Sequence, residues 1–166
     1  MQIREASSVD AAEVIEFFQQ LYAESNFMLY EPGEAVPTEA EQVQRMERLS
    51  ADRGVMFLGE AAGQIIAACY GQRGQAKRSQ HSLYIVLGVL QAWSGQGVGC
   101  LLMQHLERWA QAREIHRLEL MVRVDNQRAI TLYEKLGYAR EGVLRHSLLI
   151  EGRYVDELSM AKLLSD

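Results

Sequence analysis

The clearest signal of the fold lies in residues 83–106, which read LYIVLGVLQAWSGQGVGCLLMQHL. Leu83 to Val89 is almost entirely apolar, which predicts a central strand buried on both faces. Gly95 to Gly99 then interrupts the apolar run. Apolar residues recur beyond it at the i, i+3, i+4 spacing of a helix: Val98, Leu101, Leu102, Leu106, Trp109 and Ala110. The segment therefore predicts a strand, a glycine-rich turn and a helix in direct succession.

The glycine-rich turn comprises Ser94, Gly95, Gln96, Gly97, Val98 and Gly99. Glycine lets the backbone adopt positive φ and come close to a ligand. The first amides of the following helix lack intrahelical partners and lie at the positive end of the helix dipole. Such a site accommodates a pyrophosphate without a basic side chain. A turn that merely permits close packing of helix on strand has the same glycines, so the turn alone leaves its role open.

Two nucleotide-binding motifs are not matched by this turn. The dinucleotide fingerprint GxGxxG requires a third glycine at position 100, which is Cys100. The P-loop ends in Gly-Lys-Ser or Gly-Lys-Thr, and neither tripeptide occurs in the chain. A nucleotide-binding oxidoreductase is therefore disfavoured.

The remaining patterns predict an α/β arrangement with a mixed sheet, because hairpins flank a strand–helix–strand core. Strands are predicted at residues 2–6, 55–60, 64–70, 83–89, 118–124, 138–150 and 153–163, with a polar loop at 71–80. Helices are predicted after a capping-box-like start at Ser7, at 38–49, after Gly95–Gly99, and from Asp125 or Asn126 to Gly137. Glu151 and Gly152 form the turn of the last hairpin. With no repeat or linker, residues 1–166 are predicted to form one domain.

Composition restricts the possible partners. The net charge of −5 argues against nonspecific nucleic-acid binding, which needs a concentrated basic surface. Cys69 and Cys100 form no CxxC pair and indicate free thiols in a reducing compartment. Residues 1–5 contain no apolar segment, so no signal peptide is expected, and the sequence has no apolar run of about 20 residues. We therefore expect a cytoplasmic protein without nucleic-acid or membrane partners, and the spacing of the four histidines predicts no metal site.

A second motif, residues 126–138, reads NQRAITLYEKLGY. Together with the glycine-rich turn it resembles the GNAT superfamily of N-acetyltransferases. The first motif of that family is a hydrophobic strand followed by Arg/Gln-x-x-Gly-x-Gly/Ala, and the second is an Asn, a helix with Leu-Tyr-Glu-Lys, and Gly-Phe/Tyr. The second match is close to complete, whereas the first departs at Ser94, where the family usually has Arg or Gln. The predicted order of elements is also that of the family, so the resemblance covers the whole chain.

The resemblance implies a fold and a reaction. The fold is a single-domain α/β fold with a mixed central sheet of about seven strands, splayed between strands 4 and 5, and about four helices. The reaction is transfer of acetyl from acetyl-CoA to a primary amine by direct attack. The implied acetyl-CoA-binding residues are Leu87 and Val89 through their backbone, Ser94, Gly95, Gln96, Gly97, Val98, Gly99 and Asn126. Capping of the helix would explain Asn126 equally well.

The resemblance also implies that Tyr133 is the general acid that protonates the leaving thiolate. A phenol with a pKa near 10 is suited to this transfer. A core aromatic residue on the apolar face of the helix is the alternative interpretation. The sequence does not identify the general base, and the candidates are Glu119, His81 and water.

The implied acceptor residues are Phe27 and Tyr30, between the first two helices, with Tyr154 on the last hairpin opposite them. Their aromatic character favours a small amine such as an amino acid. The C-terminal stretch resembles the branch of the family that acts on amino acids, polyamines or protein N-termini. Two alternatives are acetylation of a protein N-terminus or ribosomal protein, and a catalytically silent acyl-CoA-binding sensor. A homodimer is left open.

Overall fold

The computed structural model describes residues 1–50 and 53–164. The strands are β1 (Gln2–Glu5), β2 (Gly54–Ala61), β3 (Gln64–Arg73), β4 (Ser82–Val89), β5 (Arg117–Arg123), β6 (Ala139–Ile150) and β7 (Arg153–Leu163). The α-helices are α1 (Ala11–Glu24), α2 (Glu39–Ser50), α3 (Val98–Gln111) and α4 (Gln127–Lys135). No helix of the described ranges is both long enough and apolar enough to cross a membrane. The prediction of one domain over residues 1–166 includes positions 51–52 and 165–166, which lie outside the described residues.

All seven strands belong to one mixed sheet in the order β1-β2-β3-β4-β5-β7-β6. Within the described residues β4 and β5 are the one parallel pair, and their pairing extends only from Ser82–Arg117 to Tyr84–Glu119. Beyond Tyr84 the two strands separate and leave one edge of β4 without a neighbouring strand. The predicted mixed sheet of seven strands, splayed between the fourth and fifth, is confirmed.

The helices cover the two faces of the sheet. On the α3–α4 face the core includes Leu83, Ile85, Leu102, Leu106, Leu118, Leu120, Ile130, Leu158 and Met160. On the α1–α2 face it includes Phe17, Leu21, Met46, Met56, Leu58 and Ala68. A Cβ on Gly88 would lie 2.3 Å from Leu21 Cδ2, so α1 packs directly on the backbone of β4. Side chains alternate between the two faces along a strand. The buried residues of each core therefore show which face their neighbours along the strand point to.

The prediction that β4 is buried on both faces is wrong. Leu83 and Ile85 are buried against α3, whereas Tyr84, between them, is 40% exposed. The apolar run extends along an opening in the sheet, so its other face is only partly covered. The helical pattern also placed Leu101 with the apolar residues of α3, yet this side chain is 42% exposed.

The predicted polar loop at 71–80 begins too early, because β3 continues to Arg73. Gly71 pairs with Val55 on one side and Ile85 on the other, and this two-sided pairing outweighs the polarity of the following side chains. A Cβ at Gly71 would lie 2.5 Å from Leu83 Cδ2, so glycine is required for this close approach.

The last hairpin forms as predicted, with positive φ at Glu151 (49°) and Gly152 (76°), as in a type I′ turn. The prediction of a regular strand at 138–150 is incomplete. The β6–β7 register shifts between Leu144 and Leu148, where the His146 amide donates to Asp156 Oδ1 at 2.7 Å. This bulge lies where the hairpin meets the opening in the sheet.

Candidate active site

The gap between β4 and β5 opens into a cleft of about 1680 Å³. Pockets for drug-sized ligands are typically about 300–1000 Å³, so this cleft has room for a long cofactor and a second substrate together. Its walls are the free edge of β4, the N-terminal end of α3, the start of α4, the end of β5 and the connection between α1 and α2.

The free edge of β4 presents backbone groups to the cleft. The Leu90 amide donates to Ile66 O at 3.0 Å, on the side of β3. Because successive residues of a strand point their amides to opposite sides, Leu87 and Val89 direct theirs into the gap. Both residues line the cleft, and both side chains pack against the core of the α3–α4 face. The backbone role predicted for them and the packing of their side chains are therefore compatible.

The N-terminal end of α3 faces the same cleft. Gly97 is the N-cap residue with φ 82°, and the first bond of the helix runs from the Leu101 amide to Gly97 O at 3.1 Å. The amides of Val98, Gly99 and Cys100 precede this bond and have no intrahelical acceptor. They lie at the positive end of the helix dipole and form a site for an anion.

The glycines of the turn have two different roles. Gly95 and Gly97 have left-handed backbone conformations, and a Cβ at either would meet nothing within 4 Å. At Gly99 a Cβ would lie 3.2 Å from Leu87 Cδ2, so this glycine permits packing of α3 on β4. The side chain of Gln96 donates to Ala92 O at 2.9 Å and does not line the cleft.

Ser94 has a partner that the sequence did not reveal. The Arg128 guanidinium, on the first turn of α4, donates a hydrogen bond to Ser94 Oγ, and both residues line the cleft. Arg128 thus places a cation beside the turn position where the GNAT pattern has Arg or Gln. The sequence contained one indication of this contact: Arg128 lies two residues after Asn126, at the start of a helix that faces the turn.

Asn126, not Asp125, caps α4. Its Oδ1 accepts from the Ala129 amide at 3.3 Å, and the residue also lines the cleft. Asp125 instead accepts two hydrogen bonds from Arg123, at 3.0 and 2.6 Å. The capping interpretation of Asn126 is therefore correct, and its position leaves room for a contact with a ligand.

Tyr133 lies between the core and the cleft. Its side chain is only 7% exposed and packs against Tyr138, with ring centroids 5.9 Å apart. It lines the cleft, and no group among residues 1–50 and 53–164 forms a hydrogen bond with its hydroxyl. Burial raises the pKa of Tyr133 well above the ordinary phenol value. The hydroxyl is therefore protonated at neutral pH and can donate to a ligand.

The connection between α1 and α2 covers the opposite end of the cleft. Phe27 and Tyr30, the residues predicted to contact the acceptor, line this end. Arg123, at the end of β5, donates to Asn26 O, and its guanidinium carbon lies 4.9 Å from the centre of the Phe27 ring. Arg123 was not identified from the sequence, although it holds this connection in place.

The sequence profile of the acetyltransferase (GNAT) family matches residues 15–138, which include both motifs, the gap between β4 and β5, and Tyr133. The chain belongs to the GNAT family of acetyltransferases. The predicted family is thus confirmed, and so are the enzyme class, an acyl-CoA-dependent N-acetyltransferase, and its acyl donor, acetyl-CoA.

Three comparisons illustrate the similarity of this GNAT enzyme to known proteins. The crystal structure of a GNAT-family acetyltransferase from Streptococcus pneumoniae is 31% identical, with a TM-score of 0.94, over 98% of this chain and 99% of that one. An L-amino acid N-acetyltransferase of Escherichia coli is 34% identical over 92 residues, 53% of this chain and 55% of the relative. A Salmonella typhimurium structure with its cofactor acetyl-CoA has a TM-score of 0.89 over 100% of this chain and 95% of that one, and at 17% identity it supports the fold alone.

Besides Gln96, three residues predicted for the GNAT site lie outside the cleft. Tyr154 is 66% exposed, and its ring stacks on the ring of His146 with the two centroids 5.1 Å apart. Because Tyr154 and Leu158 are four residues apart on β7, both side chains point to the same face of the strand, which is opposite to the α1–α2 face. Glu119 does not line the cleft and accepts from Arg117 Nε at 2.7 Å. His81 is exposed just before β4 and does not line the cleft either. Within the described ranges, no cluster of three or more His, Cys, Asp or Glu residues is arranged to hold a metal ion.

Proposed function

We propose that this GNAT enzyme transfers the acetyl group of acetyl-CoA to the α-amino group of a small amino acid, with Tyr133 as general acid. One observation carries the proposal. The gap between β4 and β5 sets an unpaired strand edge, the unpaired amides of a helix N-terminus and a protonated tyrosine around one continuous cleft. These are the groups that an acyl-CoA thioester requires along its length.

The anionic part of acetyl-CoA is assigned to the turn before α3. The amides of Val98, Gly99 and Cys100 provide donors for the diphosphate, and the open space beside Gly95 and Gly97 lets it approach. Arg128 adds a positive charge at this end of the cleft. The pantetheine arm then extends along β4, where the amides of Leu87 and Val89 replace the missing strand partner. Asn126 lies beside this path.

Two groups assist the acetyl transfer. A β4 amide that points into the gap donates to the thioester oxygen and stabilises the negative charge that forms there, an effect typically worth about 10²–10³ in rate. Tyr133 donates its proton to the sulfur as the carbon–sulfur bond breaks. Because burial raises the pKa of Tyr133, the hydroxyl carries its proton at neutral pH. The same desolvation makes a thiolate beside it more basic, which is what allows the transfer to sulfur.

The acceptor is assigned to the α1–α2 face. Phe27 and Tyr30 supply aromatic contacts, and Arg45 and Arg48 of α2 supply positive charge in the same part of the cleft. An amino acid carries a carboxylate for these arginines and an amino group for the thioester. The similarity to the L-amino acid N-acetyltransferase of Escherichia coli supports this choice.

A panel of acceptors tests the proposal by the release of CoA, measured with a thiol reagent. The panel contains amino acids, the matching amino acid amides, polyamines and peptides. We expect turnover with amino acids and at least tenfold lower kcat/KM with the amides, because the amides lack the carboxylate. Preference for peptides or polyamines would contradict the amino acid assignment. Tight binding of acetyl-CoA without turnover on any acceptor would indicate the silent sensor instead.

Domain extent, location and oligomeric state remain predictions from the sequence. One domain predicts a single cooperative unfolding transition. Sedimentation at micromolar concentration distinguishes a monomer from a homodimer, and cell fractionation tests the cytoplasmic location.

A further inference from the structure

Glu157, on β7, is a carboxylate in the cleft without a hydrogen bond or ion pair to the part of the chain that the structure describes. Three carboxylates line the cleft within the described residues. Glu24 accepts from the Gln91 amide at 2.5 Å, and Asp125 is bonded to Arg123. Glu157 forms neither a hydrogen bond nor an ion pair with any described residue, although it is half-buried. A partly desolvated carboxylate without a partner is available to an incoming cation.

Glu157 lies on the face where the acceptor is assigned. Leu158 and Met160, its neighbours along β7, are buried beneath the helices of the α3–α4 face. Alternation along the strand therefore places Glu157 on the α1–α2 face. Tyr133, in contrast, belongs to the core of the α3–α4 face. The carboxylate and the phenol thus lie on opposite sides of the gap in the sheet.

The strand register places Glu157 at the level of the reacting groups. Tyr84 lies opposite Glu119 at the end of the β4–β5 pairing. When this register is continued by four residues along each strand, Gly88 lies level with Arg123. Arg123 is in turn paired with Glu157 across β5 and β7. Glu157 is therefore level with the two β4 amides that flank Gly88 and point into the gap.

The charged and titratable neighbours of Glu157 leave its carboxylate accessible from the cleft. Burial, and after it the charge of Glu157, raises the pKa of Tyr84, which lies on the same face. On β5, Arg123 is directed to Asp125, and Glu119 is bonded to Arg117. From the helix side, Arg45, Tyr22 and Tyr30 line the same cleft. Glu157 is the one carboxylate among these groups that has no hydrogen bond or ion pair with a described residue.

We propose that Glu157 is the general base that accepts a proton from the ammonium group of the acceptor. The inference rests on the transferase reaction proposed above. An ammonium group enters between Glu157 and Tyr84 and gives one proton to the Glu157 carboxylate, which leaves a neutral amine. The residue is a catalytic residue in this role, because it contacts the reacting nitrogen.

The remaining steps balance this proton transfer. The nitrogen lone pair forms the bond to the acetyl carbon, while the carbonyl π electrons move to the oxygen held by the β4 amide. When they return, the carbon–sulfur bond breaks with its electron pair on sulfur, and Tyr133 protonates the sulfur. The second nitrogen proton restores the Tyr133 hydroxyl by way of water, and Glu157 releases its proton to solvent. One amide bond forms, one thioester bond breaks and one proton is released.

The test compares kcat/KM of the wild type with that of Glu157→Gln and Glu119→Gln over pH 6–10. Each enzyme is measured with two acceptors, the best amino acid of the panel and hydroxylamine. Hydroxylamine is largely neutral at pH 7 and needs no base. Glu157→Gln keeps the shape of the side chain, and Glu119→Gln is the matched control, since Glu119 lies on the same face but outside the cleft. We expect Glu157→Gln to lower kcat/KM for the amino acid about 10²-fold at pH 7. The loss should shrink as pH rises, because more of the amine is already neutral in solution.

Hydroxylamine turnover, the KM for acetyl-CoA and the Glu119→Gln rates should remain near the wild-type values. A Glu157→Gln loss that is equal at every pH and equal for hydroxylamine would overturn the proposal and leave the transferase function intact. Unchanged amino acid turnover in Glu157→Gln would overturn it as well. If the wild type binds acetyl-CoA but releases CoA to neither nucleophile, the proposed function itself is wrong, and the role of Glu157 is rejected with it.

Discussion

The two ends of the cleft present different kinds of chemical group. At the donor end, the groups assigned to acetyl-CoA are backbone amides of α3 and β4, supplied by residues 87–100, together with Tyr133. At the acceptor end, the groups are the side chains of Phe27, Arg123 and Glu157, which come from distant parts of the chain. Backbone recognition is tied to one local motif and tolerates changes of side chain, whereas side-chain recognition depends on how the strands are aligned. Substitutions at the two ends should therefore have separable effects.

The largest effect should come from Tyr133→Phe, which removes the donor-end proton. We expect kcat to fall about 10²-fold for every acceptor, with an unchanged KM for acetyl-CoA. Tyr138→Phe is the matched control, because the Tyr138 hydroxyl is buried without a partner beside Tyr133 and does not line the cleft. The raised pKa of Tyr133 also means that loss of its proton should not lower the wild-type kcat below a pH of about 10. Wild-type turnover in Tyr133→Phe would show that Tyr133 is not the general acid.

Gly97→Ala should affect the donor end alone. The change puts a methyl group where the diphosphate is assigned and forces alanine into a left-handed conformation. Gly63→Ala is the control, because Gly63 has a similar φ (75° against 82°) and similarly open surroundings in the β2–β3 turn. Both variants should lose about 1–2 kcal/mol of stability, but only Gly97→Ala should raise the KM for acetyl-CoA, by about tenfold. Equal KM values in the two variants would show that the turn does not contact the donor.

Arg123→Ala should affect the acceptor end alone. Loss of the bond to Asn26 O and of the contact with Phe27 frees the connection between α1 and α2. We expect the acceptor KM to rise roughly fivefold to tenfold, corresponding to about 1–1.4 kcal/mol, while the KM for acetyl-CoA stays constant. Arg140→Ala, which breaks an exposed ion pair with Glu134, controls for the loss of an arginine. A parallel rise of both KM values would contradict the separation of the two ends.

The smallest effect is expected for Arg128→Ala. Its guanidinium is exposed, so solvent screens its attraction for phosphate. The KM for acetyl-CoA should rise about threefold at low salt, and the difference from wild type should shrink as salt is added. Lys135→Ala, at the other end of α4, should leave the KM unchanged. A salt-independent effect of Arg128→Ala would mean that the residue acts through packing and not through its charge.

The same contrast explains what the sequence could predict. The turn before α3, the cap at Asn126 and the position of Tyr133 follow from adjacent residues, since local hydrogen bonding and φ preferences determine them. The split in the sheet followed from the family resemblance. Exposure of one side of β4 was missed, because an apolar strand beside a cleft has the same composition as one within a core.

The acceptor end could not be assembled from the sequence, because its geometry depends on the register of β5 against β7. That register pairs Arg123 with Glu157, and nothing local to either residue indicates it. One signal was present: Glu157 alternates with Leu158 and Met160, which predicts that it faces away from their core. Tyr154 has the alternation of Leu158, and the same rule would have excluded it from the cleft.

A crystal structure of the enzyme with CoA would show directly whether the turn before α3 holds the diphosphate and whether the thiol lies beside Tyr133. We expect diphosphate oxygens about 2.7–3.2 Å from the amides of Val98, Gly99 or Cys100, and the sulfur within reach of the Tyr133 hydroxyl. A diphosphate bound away from this turn, or a sulfur remote from Tyr133, would contradict it.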